Sequence, residues 1–143
     1  MQPTPRRTPR GYLELDHTAD LRLRVWAKTE EELLEQAAQA LIDVLTEQAP
    51  RQASGVRRLS LGAPDREERL VRWLNEVLFL ASAEGFLLTS AELRLSPGGL
   101  EARLSGQEHG DQLVRTELKA VTYHSLSVRQ DAEGFEAELV VDR

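Results

Sequence analysis

Leu21, Leu23 and Val25 alternate with Arg22, Arg24 and Trp26, the two-residue period of a strand with one buried face. The run at 11–15, with Tyr12, Leu13 and Leu15, reads as a strand just before it. The period then changes. Thr29-Glu30-Glu31-Glu32 has the form of a capping box, with Thr29 at the N-cap and Glu32 three residues on. The three glutamates also suit the positive end of a helix dipole. Leu33, Leu34, Ala37, Ala38, Leu41, Ile42, Val44 and Leu45 follow as one apolar stripe, which predicts a helix over 29–46, with Pro50 ending the region. A short strand at 56–61 leads to a second helix over 65–84, with Asp65 as N-cap, Glu68 as its reciprocal and Gly85 as C-cap. Leu70, Val71, Trp73, Leu74, Val77, Leu78, Leu80 and Ala81 give this helix a wide apolar face. Trp73 reads as core, and Asn75 as a helix residue turned to solvent.

The rest of the chain returns to alternation. Strands at 91–95 and 100–104 flank a Pro97-Gly98-Gly99 turn and form a hairpin. The polar stretch at 106–110 reads as a loop, 112–129 as a long run of strand character, and 135–141 as the last strand. The order β-β-α-β-α-β-β-β-β-β predicts an α+β domain. Two helices should pack side by side on one face of a mostly antiparallel sheet.

Composition narrows the class. A chain of 143 residues is one domain with room for a real core. It has no cysteine, so disulfides, zinc–thiolate sites and thiol nucleophiles are excluded. A net charge of −6 argues against wrapping nucleic acid with the whole surface. No apolar run approaches the ~20 residues that span a bilayer. Residues 1–10 hold three prolines and three arginines and read as a flexible basic tail ahead of a domain at 11–143.

The chemistry concentrates in Asp16-His17-Thr18-Ala19-Asp20, which joins the first two strands without glycine or proline. Carboxylate, imidazole and hydroxyl are the parts of a hard-cation or acid–base site. Asp and Thr also cap turns through their own backbone, and that plainer reading stands beside the first. No phosphate loop, dinucleotide fingerprint, HExxH or GxSxG occurs. What remains is a set of polar residues at strand ends: Asp16, His17, Asp20, Lys119, His124 and Asp142. Carboxylates without cysteine or grouped histidine favour Ca²⁺ or Mg²⁺ over zinc.

Taken together these motifs resemble the archease family. The resemblance begins at Gly11-Tyr12 and Asp16-His17-Thr18-Ala19-Asp20 and continues through the first helix. It resumes at Asp65-Arg66-Glu67-Glu68 and Trp73-Leu74-Asn75-Glu76. It is strongest at Leu118-Lys119-Ala120-Val121-Thr122-Tyr123-His124 and returns at Val140-Val141-Asp142. The resemblance implies a small cytoplasmic partner of the RtcB-type RNA-splicing ligase. That ligase joins RNA ends, tRNA halves included, with GTP and a metal ion. The partner would promote its guanylylation and repeated turnover without being an enzyme itself, and would meet RNA only through the ligase.

The resemblance also implies a metal site at Asp20, Asp142 and the backbone of Arg143, taking calcium, or else magnesium or manganese. Lys119, His17 and His124 would lie near it as supports or ligase contacts. Arg143 departs from the aliphatic residue usual there, and 106–114 departs from the family's Gly-Glu-x-x-Asp pattern. Two other classes are open: a metal-dependent hydrolase using the same acids, and a general chaperone-like binder that ignores them.

Overall fold

Both capping signals form. In the computed structural model, which describes residues 9–15, 20–48, 50 and 52–143, Thr29 Oγ1 accepts the Glu32 amide at 3.1 Å and opens α1 (Glu30–Leu45). The Asp65 carboxylate accepts the Glu68 amide at 3.3 Å and opens α2 (Arg66–Glu84). Gly85 closes α2 with φ 65°, the left-handed region that glycine adopts without Cβ strain. The expectations for Asp16 and His17, and for the tail up to residue 8, lie outside the described residues.

Seven strands surround the helices: β1 (Gly11–Glu14), β2 (Leu21–Ala27), β3 (Gly55–Gly62), β4 (Leu87–Ser96), β5 (Gly99–Gln107), β6 (Ala120–Asp131) and β7 (Gly134–Asp142). Every pairing is antiparallel. The fold class is the expected α+β, with one refinement. The strands sort into a four-stranded sheet, β1-β2-β7-β6, and a three-stranded sheet, β3-β5-β4. β7 is paired on both sides and so is β5, so no strand is shared between the sheets. The helices join them. They pack on each other, α1 also touches β2 and β4, and α2 also touches β6, β3 and β4. Leu21, Leu23 and Val25 of β2 and Leu139 and Val141 of β7 meet Leu100 and Leu104 of β5 in one core around the helices.

A buried ion pair ties the helix starts together. Arg69 binds Glu30 through two hydrogen bonds, at 2.8 and 3.1 Å, and donates to the carbonyls of Ala63 and Pro64 at 3.0 and 2.8 Å. Trp73 is fully buried, as its stripe predicts, and its indole donates to the Leu34 carbonyl at 2.8 Å. Among the described residues no buried side-chain polar atom lacks a partner.

Two stretches differ from the pattern reading. The polar run at 106–110 is not all loop, because β5 continues through Gln107. Gly106 is buried and paired, and a Cβ there would come within 2.6 Å of the Leu87 carbonyl and the Phe86 ring. The polarity of Glu108 reflects an ion pair. Arg57 reaches its carboxylate at 2.8 and 2.9 Å, and those hydrogen bonds hold the Glu108 carboxyl below its ordinary range. The run at 112–129 is strand only from Ala120. Before that, the amides of Arg115 and Thr116 bond to the Leu45 carbonyl at 2.7 and 3.2 Å. That segment satisfies the exposed end of α1 and takes no place in a sheet.

Candidate functional site

Register builds the site. β2 pairs with β7 so that Leu21 lies opposite Val141 and Leu23 opposite Leu139. Asp20 and Asp142 are the next residues of the two chains beyond that last pair, and the register extended by one step would set them opposite each other. On the other flank of β7, Asp142 faces Ala120 of β6. Two aspartates 122 positions apart in sequence thus lie at one end of the four-stranded sheet. Opposed residues of an antiparallel pair have Cβ atoms roughly 4.5–5.5 Å apart.

The strand period sets which way they face. Leu21, Leu23, Leu139 and Val141 are buried against the helices. Asp142 takes the alternate position of β7, on the face that carries half-buried Glu138 and buried Val140, and Asp20 precedes the first residue of β2. Asp20 is exposed and Asp142 half-buried. The same face continues inward as Arg22 and then Arg24, which binds Glu138 at 3.0 and 3.2 Å.

The remaining candidates are placed differently. Lys119 is exposed, and its amide donates to the Asp142 carbonyl at 2.7 Å, so its backbone belongs to the acid row. Arg143 is exposed, and its guanidinium reaches Glu14 of β1 at 3.4 Å. His124 is also exposed but sits four residues along β6 from Ala120. It lies in a bulge, where Tyr123, His124, Ser125 and Leu126 stand against the single Leu139. Its amide donates to Thr122 Oγ1 at 3.3 Å, and Ser125 next to it takes φ 54°. The structure therefore brings together Asp20, Asp142 and the Lys119 backbone, and leaves His124 on a separate feature. His17 lies outside the described residues.

The chemistry of the pair fits a hard cation, since both side chains offer only oxygen. Among the described residues no group of three or more His, Asp or Glu side chains is placed to hold a metal. Further oxygens would come from backbone carbonyls and water.

Two supporting residues escaped the pattern reading. Asn75 is half-buried on α2, not turned to solvent. Its Oδ1 accepts the Val121 amide at 2.8 Å and its Nδ2 donates to the Val121 carbonyl at 3.2 Å. The signal was available in its spacing, four residues after Val71 and three before Leu78 on the buried face. Tyr12 anchors β1 to α1 through a 2.5 Å hydrogen bond to Asp43. Burial, with Asp43 adding to it, raises the phenol above its ordinary pKa and keeps it a donor.

A second surface carries charge. A groove of about 650 Å³ on the three-stranded sheet is lined by Arg58, Glu92, Arg94, Glu101 and Arg103. Arg103 lies opposite Glu92, and Arg94 opposite Glu101. Alternation of sign across strands is how a solvated sheet face is ordinarily built.

Comparison with known proteins covers nearly the whole chain. The sequence pattern of the Archease protein family matches residues 12–142. The "Protein archease" of Methanosarcina barkeri is 33% identical over 138 residues, spanning 92% of this chain and 94% of its own length. That of Archaeoglobus fulgidus is 34% identical over 137 residues, spanning 92% of this chain and 98% of its own length. The solution structure of protein 1598 from Methanobacterium thermoautotrophicum is 27% identical, with a TM-score of 0.77, over 93% of this chain and 99% of that one. An archease from Thermotoga maritima, called a possible chaperone, shares the fold at 20% identity with a TM-score of 0.63, over 98% of this chain and 99% of its own.

Proposed function

The chain belongs to the archease family, and from that premise we propose that it activates an RtcB-type RNA-splicing ligase in the cytoplasm without catalysing ligation itself. The observation that carries the reading is the β2–β7 register, whose last pair, Leu21 opposite Val141, leaves Asp20 and Asp142 as the next residues at one end of the sheet. The motifs of the family resemblance at the two ends of the chain become one constellation there. A divalent cation bound at this pair, calcium first among the candidates, would neutralise two like charges and offer a positive centre to the partner's surface. In this reading Asp20 and Asp142 supply the oxygens, and the Lys119 amide orients the Asp142 backbone. The Arg143 backbone is the third candidate ligand. The ligase, not this chain, handles RNA and GTP.

A general chaperone needs a broad apolar surface. The exposed large apolar side chains among the described residues are Leu13, Val56, Phe79 and Tyr123. They lie on β1, β3, α2 and β6. The test is a ligation assay with the cognate ligase, GTP and metal, with and without this protein. Stimulated guanylylation and multiple turnover are expected. No stimulation, or steady phosphoester hydrolysis by the protein alone that stops on chelation, would reject activation in favour of the hydrolase reading.

A further inference from the structure

We infer that Asn75 is the positioning residue of the acid pair, holding the start of β6 in place beside Asp142. The inference rests on the reading that the Asp20–Asp142 pair is the working site. One side-chain amide takes both backbone polar groups of one residue: it accepts from the Val121 N–H at 2.8 Å and donates to the Val121 carbonyl at 3.2 Å. β6 is the last strand of its sheet. In an antiparallel ladder alternate residues turn their N–H and C=O away from the partner strand. At Val121 the amide of Asn75 fills the place that a fifth strand would fill.

The start of β6 has little else to hold it. Ala120, Val121 and Thr122 stand in register with Asp142, Val141 and Val140, and then the pairing breaks at the bulge. Upstream, residues 114–119 are outside any strand. The ladder that sets this backbone against Asp142 is therefore three residues long, too short to hold by itself. The buried side chains of Leu118 and Val121, the Lys119 amide on the Asp142 carbonyl and the Asn75 clamp add to it. α2 packs along β6, and Asn75 adds to that packing a side-chain hydrogen bond to the strand's backbone from a helix seated through buried Trp73 and Leu74. The clamp thus transmits the position of α2 to the carbonyl and carboxylate of Asp142. Groups that orient a ligand from behind are worth about 10–100-fold in metal affinity.

The test compares Asn75→Ala and Asn75→Leu, the second of which keeps the side chain's γ-branched shape without its hydrogen-bonding groups, with Asp20→Asn and Asp142→Asn. Calcium affinity is measured by calorimetry well below the melting temperature, and amide exchange is followed residue by residue. Both Asn75 variants are expected to bind calcium about tenfold more weakly. Their exchange should quicken at Lys119 and Val121 and stay unchanged in α1 and β2. A variant that melts earlier but binds calcium as wild type does would make Asn75 merely structural and overturn the inference. In wild type, the Val121 amide should exchange as slowly as ladder-bonded amides of β7; fast exchange there overturns it without any variant. If Asp20→Asn and Asp142→Asn bind calcium normally, the acid-pair reading fails instead, and the exchange at Lys119 still decides whether Asn75 holds β6.

Discussion

Asp142→Asn tests the acid pair most directly, because its sign differs with and without metal. Two carboxylates at the roughly 5 Å Cβ spacing of opposed strand positions would repel by about 0.8 kcal/mol at the dielectric constant of water and about 3 kcal/mol at an effective value near 20. Asp20 is exposed, so the screened end applies, about 1 kcal/mol. Asparagine keeps the shape and removes the repulsion. For a chain of this size that corresponds to a rise of about 3 °C in the apo melting temperature. Metal reverses the order. At a calcium concentration of about 100 times the dissociation constant, wild type gains about 2.7 kcal/mol, or roughly 8 °C. The variant should lose most of that gain, and Asp20→Asn should lose it too. The assay is a thermal melt with and without calcium, paired with stimulated ligation at equal folded concentration. If Asp142→Asn gains as much from calcium as wild type and stimulates the ligase equally, the site is elsewhere. If its apo form melts several degrees lower, the carboxylate is a structural bond and the repulsion argument is wrong.

Three further outcomes are expected. Glu30→Gln should cost about 3–5 kcal/mol, because it leaves the buried Arg69 guanidinium without its charge partner; a melting temperature within 3 °C of wild type would refute this. The Glu108 carboxyl is held low by Arg57, so its contribution is present above the ordinary glutamate pKa of about 4.3 and fades as pH falls through the lowered value. Melts of wild type and Glu108→Gln should therefore differ at pH 7 and converge only once the pH has fallen below the lowered value, and a gap that widens in acid would reverse the assignment. Removing residues 1–10 should shift melting by less than about 3 °C, since the ion pairs of Arg10 with Glu32 and Glu35, at 3.8 and 3.6 Å, lie at the surface. Stimulation of the ligase should persist, and a large fall at physiological salt would give the tail arginines a contact of their own.

What the sequence determined by itself is what neighbours within a few positions decide. Thr29, Asp65 and Gly85 mark helix ends because capping needs only the adjacent turn. The stripes of α1 and α2 and the alternation of β2 identify buried faces, because side-chain direction repeats with a fixed period. The acidic residues at strand ends were legible as oxygen donors, and family motifs linked Asp20 to Asp142. Periodicity and spacing alone did not give their juxtaposition, which was expected only from the family resemblance and from the place of both residues at strand ends. It depends on the register of β2 on β7, and a slip of one residue would turn every side chain to the other face. Asn75 shows the same limit: its partner, the Val121 backbone, lies 46 residues away, and no local rule connects a helix side chain to a strand edge. Gly106 and Glu108 read as loop because their polarity is visible in sequence, while the Phe86 ring and the Arg57 guanidinium that explain them arrive only on folding. The division into two sheets was likewise decided in space. β3 finds β5 across the intervening α2 and β4, and β7 returns between β2 and β6, pairings whose energy depends on contacts that the order of residues does not contain.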